Sequence, residues 1–260
     1  TAAGDFTLEN FARMGTYTAV FTRSFKLAII ATLIALLIGY PVSYMLSKEG
    51  PQVQRIAMVL IMLPMWMNFL LRTYSWMSIL ENNGLLNQLF QQIGLIDLYN
   101  QIAMHFASDP AAYVPIDHFQ MIGTQGAVVL GMVYNYLPFM ILPIYSVLVK
   151  LDHSLIEAAR DLGASSVQVF RKVILPLSLP GVLSGITMVF VPSVSTFAIS
   201  RLLGGGTQMM LGDLIEQQFL GGAYNPQLGA AIALVMMAIV VVCMLVMNRF
   251  GDGEEQAVML

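Results

Sequence analysis

Long stretches without a charged side chain are the strongest constraint on what this chain can fold into. Leu27 to Ser47 gives 21 such residues, and the 25 residues from Ile56 to Leu80 are broken only by Arg72. Phe119 to Val149 gives 31, Val173 to Ser200 gives 28, and Gln217 to Asn248 gives 32. A lipid-spanning helix needs about 20 mostly apolar residues, because hydrocarbon cannot satisfy an unpaired backbone N–H or C=O. The runs therefore predict five spanning helices, at roughly 25–47, 56–80, 125–149, 176–199 and 226–248. The expected fold class is an all-α integral membrane protein. Composition agrees: 57% of residues are hydrophobic and 10% charged, against about 25% charge in a soluble domain. The net charge of −3 carries no basic footprint for nucleic acid. Cys243 is the single cysteine and lies in an apolar run, so neither a disulfide nor a cysteine metal cluster is available.

Cations are unevenly placed around these spans. Connections 47–55 and 149–175 and the tail after Asn248 hold Lys48, Arg55, Lys150, Arg160, Arg171, Lys172 and Arg249, whereas the connection 81–124 has no Lys or Arg. Positive-inside bias puts the first set, with the C-terminus, in the cytoplasm; Arg13, Arg23 and Lys26 run against it. The domain layout expected is one transmembrane unit over 1–260. It begins with an outer amphipathic segment, 1–24, whose Phe6, Leu8, Phe11, Met14, Tyr17 and Phe21 have near-helical spacing. Three helices follow over 25–149 with the outer loop 81–124. A cytoplasmic loop at 150–175, two helices over 176–248 and a cytoplasmic tail at 249–260 complete it. A sixth helix is expected upstream of Thr1. Pro64, Pro138, Pro143 and Pro192 lie within the spans, each removing a backbone donor and bending its helix.

The most informative stretch is Lys150 to Pro176, KLDHSLIEAARDLGASSVQVFRKVILP. Ser154 with Glu157 has the spacing of a capping box at a helix start, and Gly163 fits the left-handed position that ends one. Ser165 with Gln168 reads as a second start, and Val167, Phe170, Val173 and Ile174 lead that helix to a stop at Pro176. Two short capped helices joined at a glycine make a rigid elbow.

Glu157-Ala158-Ala159, Gly163, and Val173-Ile174-Leu175-Pro176 resemble the EAA motif, EAA-x3-G-x9-I-x-LP, of binding-protein-dependent ABC importer permeases. Val173 in the place of the usual Ile is the one departure. Pro64 to Asn68, Leu71 to Trp76, Gly84, Asn87, Tyr134 to Pro143, Leu151 to Ala164, Gly204 to Gly206 and Gln218-Phe219 are similar to the spermidine/putrescine branch, as is Phe6 to Phe11. The likeness covers nearly the whole chain. It implies a MetI-like permease fold in a bacterial inner membrane. It also implies a role in polyamine import by alternating access, with ATP and Mg on a partner ATPase homodimer rather than on this chain. The other implied partners are a second, PotC-like permease subunit, an extracytoplasmic PotD-like solute-binding protein and membrane lipid. Carried onto this sequence, Glu157 is the charged contact to the ATPase, Ala158 and Ala159 the close-packing surface, and Gly163 the turn, with Leu175 and Pro176 completing the coupling set.

No G-x4-G-K-[ST] phosphate loop occurs, and Gly204-Gly205-Gly206 is followed by Thr207, not Lys, so a flexible turn is expected there. His105, His118, Asp97, Asp109 and Asp117 share the outer loop without metal-ligand spacing, and no nucleophile–base constellation stands out. Neither a metal nor a catalytic site is expected. Arg72 is the one charge inside a span; it reads either as a gate or as a structural arginine snorkelling outward, with Trp76 one turn on placed to cover it. A polyamine site needs carboxylates for ammonium groups and aromatic faces. The candidates are Trp66, Asn68, Tyr74, Trp76, Glu81, Tyr134, Asn135, Asp213 and Glu216, although interfacial aromatic belts also explain the Trp and Tyr residues. A permease for another small organic solute remains open. A secondary transporter is a more distant alternative that would show an internal repeat, and a membrane enzyme would need convergent catalytic residues.

Overall fold

A computed structural model describes residues 9–106, 113–222 and 224–258. Thirteen α-helices run through them: α1 (Glu9–Arg13), α2 (Thr18–Ser47), α3 (Pro51–Trp66), α4 (Phe69–Leu80), α5 (Leu85–Gln92), α6 (Leu95–Phe106), α7 (Gln125–Leu148), α8 (His153–Asp161), α9 (Ser166–Val169), α10 (Leu175–Ser195), α11 (Ala198–Leu203), α12 (Leu211–Leu220) and α13 (Pro226–Val258). A 3-10 turn, Met14–Tyr17, leads into α2, and a π-helical turn, Phe170–Ile174, joins α9 to α10.

Among the described residues, four continuous helical segments are long and apolar enough to cross a membrane: Met14–Ser47, Gln125–Leu148, Ser166–Ser195 and Pro226–Val246. A bent pair, Pro51–Trp66 with Phe69–Gln92, turned by 90°, passes the same test only when its two halves are taken together. The run 56–80 is therefore not the single straight span expected from its composition. Pro64 leaves the carbonyl one turn before it without a donor, and four residues later Asn68 starts a new helix. The Asn68 Oδ1 accepts from Leu70 N at 2.8 Å and Leu71 N at 3.4 Å, an N-cap in mid-run.

Other boundaries shift for identifiable reasons. The amphipathic segment expected over 1–24 and the span expected from 25 share one helix, because α2 begins at Thr18; Phe6 and Leu8 lie outside the described residues. The loop 81–124 contains α5 and α6, joined at Gly94 with φ +73°. Buried Asn87 clamps this subdomain, donating to the Glu81 and Phe119 carbonyls and accepting from Phe119 N. Asn100 plays the same part with Ile116 and Tyr113. The span expected over 176–199 ends at Ser195, three residues after Pro192, and α13 continues helically to Val258 through the expected tail. Pro138 and Pro143, by contrast, lie inside an unbroken α7.

Helices α2, α7 and α10 form the centre of the bundle. Small residues four apart let them approach: Ala31, Ala35 and Gly39 on α2, Gly181 and Gly185 on α10. Met140 of α7, fully buried, fills the space between them. A Cβ on Gly39 would come within 2.9 Å of its Cγ, and one on Gly185 within 2.8 Å of its Sδ. Polar ties cross the same interfaces, from Ser43 Oγ to the Ile141 carbonyl at 3.1 Å and between Tyr40 Oη and Ser178 Oγ at 2.8 Å. α13 covers α2 and α10 through Leu228, Ala231 and Ile232. Helix α3 buries none of its residues, so a whole apolar helix stands against the bundle with its surface open.

At Gly181 an added Cβ would meet the Pro143 carbonyl oxygen at 2.8 Å and the Ile144 Cα at 3.1 Å, backbone atoms that cannot rotate away. Gly181→Leu is therefore expected to force α7 and α10 apart and destabilise the purified protein by about 1–3 kcal/mol. The check is a lowered midpoint of thermal unfolding in detergent, with Gly126→Leu, at a roomier position, as the comparison.

Candidate functional site

The elbow is built as two capped helices, with one correction to its start. The carboxylate of Asp152 caps α8 by accepting from Ser154 N at 2.9 Å, so the helix is already under way at His153 and the expected Ser154–Glu157 box does not form its N-terminus. The C-terminus of α8 follows expectation. Gly163 adopts φ +84°, Gly163 N donates to the Arg160 carbonyl at 2.8 Å, and Ala164 N donates to that of Ala159 at 3.1 Å. These are the two bonds of a Schellman motif. Ser165 and Gln168 then form the expected capping box, with Ser165 N donating to Gln168 Oε1 and Gln168 N to Ser165 Oγ.

Pro176 does not stop the returning helix, which runs without a break from Ser166 to Ser195. The π-helical turn Phe170–Ile174 lies immediately before it, and its wider hydrogen-bond spacing makes room for a ring that would otherwise crowd the preceding turn. Phe170 packs edge-on against Tyr40 and Tyr44 of α2, with ring centroids 5.9 and 5.4 Å away. Tyr145 Oη donates to Gln54 Oε1 at 2.9 Å, tying the same end of α7 to α3. The elbow is thus seated on the bundle. Ala159 and Ile156 pack inward; Glu157, Ala158, Leu155, Val167 and Leu162 are exposed, Leu162 at 89%. Leu175 is at the margin of exposure and Pro176 half-buried.

The pathway candidates fall into three groups rather than one site. Trp66, Asn68 and Tyr74 lie exposed around the α3–α4 bend, Asn68 as the cap already described. Trp76 and Tyr134 join α4 to α7 through an edge-on ring contact with centroids 5.2 Å apart, and next to Tyr134 is Asn135. Buried Asn135 donates to the Gly131 carbonyl, but its Oδ1 has no partner among the described residues. Asp213 and Glu216 form the third group, on α12, and both are engaged. Buried Asp213 accepts from Ser200 Oγ and from Met210 N at 3.0 Å. Glu216 takes both bonds from Arg201 Nη1, at 2.8 and 2.6 Å. Glu81 is exposed at the C-terminal cap of α4.

Arg72 does not snorkel. It is 8% exposed, and its Nε and Nη1 are buried without an acceptor among the described residues. Trp76, expected over the guanidinium, packs on Tyr134 instead; Tyr136 lies within electrostatic reach of Arg72 and against Thr196. Thr196 marks the interruption between α10 and α11, where Gly212 sits so close that a Cβ would fall within 2.5 Å of the Ser195 and Thr196 carbonyl oxygens. Sequence reasoning missed Tyr136, Thr196, Ser200 and Arg201; the one available signal was Pro192, whose missing donor weakens the helix just before the interruption.

Against this geometry, residues 31–253 match the family model for the binding-protein-dependent transport system inner membrane component. The chain belongs to that family. It is 36% identical over 246 residues to the spermidine/putrescine transport system permease protein PotB of Escherichia coli (strain K12), covering 94% of this chain and 82% of the relative. The PotB protein of Haemophilus influenzae is 37% identical over 240 residues, covering 90% and 77%. The fold is that of a bacterial ABC transporter chain solved for import of the acidic polysaccharide alginate, with a TM-score of 0.74 at 14% identity over 96% of this chain and 84% of that one. This family chain is a multi-pass inner-membrane permease with a MetI-like fold.

Burial pushes the Asp213 carboxyl above its ordinary value, against the opposing pull of its bonds from Ser200 and Met210 N. The folded state then holds its proton to higher pH than the unfolded chain. Stability from this group is present below the ordinary carboxylate range and falls as pH rises to the raised value. Asp213→Asn is expected to remove that slope, and Asp213→Ala to cost about 1–3 kcal/mol by orphaning two donors. Thermal unfolding of the three proteins across pH 4 to 8 is the check.

Proposed function

We propose that this chain is the permease subunit of an ATP-driven importer for polyamines such as spermidine and putrescine. The observation that carries the reading is the elbow: a Schellman-closed turn at Gly163 holds Glu157, Ala158 and Leu162 outward on a base fixed by Phe170. An exposed leucine beside an exposed carboxylate and an alanine that leaves room for close approach suits docking by another protein. The partner is a cytoplasmic ATPase homodimer, which holds ATP and Mg. A second, PotC-like permease completes the path and a PotD-like protein delivers the solute from outside. Identity of 36–37% to PotB proteins over most of both chains supports the cargo.

In this mechanism ATP closes the ATPase pair, the elbow is carried with it, and the bundle opens outward to receive solute; hydrolysis resets it. A ligand shifts a two-state equilibrium only by its differential affinity, so the solute-binding protein must prefer the outward-open state. With Asp213 and Glu216 already engaged by Ser200 and Arg201, the ammonium groups of the cargo meet the aromatic and amide groups along α4 and α7. The six cations Lys48, Arg55, Lys150, Arg160, Arg171 and Lys172 belong to the elbow end, and this charge bias supports a cytoplasmic location for it.

Two measurements test the proposal. Glu157→Arg combined with Gly163→Pro should lower ATP-driven uptake at least tenfold while the chain still inserts in the membrane; uptake at the normal rate would overturn the coupling role. Cells lacking the gene should lose uptake of labelled spermidine and regain it on complementation, with unlabelled putrescine competing. Unrestored uptake with the ATPase still bound would retain the permease and discard the polyamine.

A further inference from the structure

We infer that Arg72 sets the specificity of the closed translocation path by barring cations, from the place where two interrupted helices meet. The inference rests on the polyamine reading only for the identity of the natural cargo.

The first interruption, at Met67–Asn68, cannot face lipid. It falls inside the run 56–80, and the 16 residues of α3 carry the chain about 24 Å from Pro51 at 1.5 Å per residue, within a hydrocarbon core of about 30 Å. Irregular backbone at that depth persists only where protein or water covers it. Yet Trp66 is 75% exposed and Met67 51%, with Asn68 exposed beside them. Along α4 the open surface continues through Leu70 and Leu71 to Tyr74, Ser75 and Ser78, and turns polar over that last part. Its polar part is the face assigned to the path.

Arg72 flanks this stripe and turns into the chain, toward Tyr136 and the second interruption at Thr196. α4 packs on both α11 and α7 there. Among the described residues two guanidinium nitrogens lack an acceptor, and on α7 the Asn135 Oδ1 lacks a donor. A buried cation without a counter-charge is costly to hold. Little solvent screens it, so its potential reaches the adjoining path and repels an ammonium group while leaving a neutral solute unaffected. Opening the path must therefore bring an acceptor to the guanidinium, and the barrier falls with that step.

The test uses the complete importer, purified through this chain and reconstituted in liposomes without ATP. The vesicles are loaded with labelled tetramethylammonium as a permanently charged probe, or with mannitol as an uncharged one. Arg72→Met should release tetramethylammonium at least ten times faster than the unaltered importer, with mannitol retained. Arg72→Lys, which keeps the charge, should retain both. Should the Met variant fail to assemble with its ATPase, Arg72→Gln is read by the same criteria. A neutral variant that assembles, hydrolyses ATP and holds tetramethylammonium as tightly as the unaltered importer would overturn the inference. So would one that leaks both probes equally, since that is a lost plug and not a lost charge. Because neither probe is a polyamine, failure of spermidine uptake would refute the cargo and leave this result standing.

Discussion

The bundle depends on how closely α7 can approach its two neighbours. Lipid offers no hydrophobic drive to press helices together, so the association rests on packing and a few hydrogen bonds. Met140 supplies the packing by entering between Gly39 on one side and Gly185 on the other. An unbranched, polarisable thioether adapts to such a gap where a β-branched side chain would not. The Ser43 and Tyr40 bonds then fix the register of the three helices. This close packing also explains why α7 stays whole through Pro138 and Pro143, each of which removes a hydrogen bond. Contacts on both sides hold the helical path that the missing bonds no longer enforce.

Pro64 has no such support, and Pro192 lies among buried Val189, Phe190, Ser193 and Val194, yet each lies within four residues of a broken span. On α3, no residue is buried to hold the axis straight, and Asn68 offers the following helix a ready cap. At the end of α10, Ser195 Oγ turns back to the Val191 carbonyl at 3.2 Å, and Gly212 occupies the space in which the helix would have continued. The identical residue type therefore has opposite outcomes, decided by neighbours far away in sequence.

That difference measures what was legible in the sequence. Charge-free runs located the spans because burial in hydrocarbon is a local property of composition, and the elbow's turn at Gly163 and cap at Ser165 were legible because both are made by residues within five positions. The start of α8 was misread for a local reason too, since Asp152 competes with Ser154 and lies earlier. The groupings at depth were not legible. Asp213 and Glu216 looked like open carboxylates until α11 brought Ser200 and Arg201 against them. Trp76 sat one turn from Arg72, as the spacing required, yet its ring found Tyr134 on another helix. Such pairings are set by tertiary geometry, which single-chain periodicity does not encode.

The unbroken helix from Ser166 to Ser195 has a mechanical meaning. Its 30 residues make a rod of about 45 Å at 1.5 Å per residue, with the elbow at one tip and the Thr196 interruption at the other. A rod that length converts a tilt of about 10° at its base into a lateral sweep of about 8 Å at its far tip. Had Pro176 ended the helix, the same tilt would have been absorbed in a hinge next to the elbow. The π-helical turn keeps the lever arm in one piece, so that a small rotation imposed at the elbow would arrive, amplified, beside the residues around Thr196.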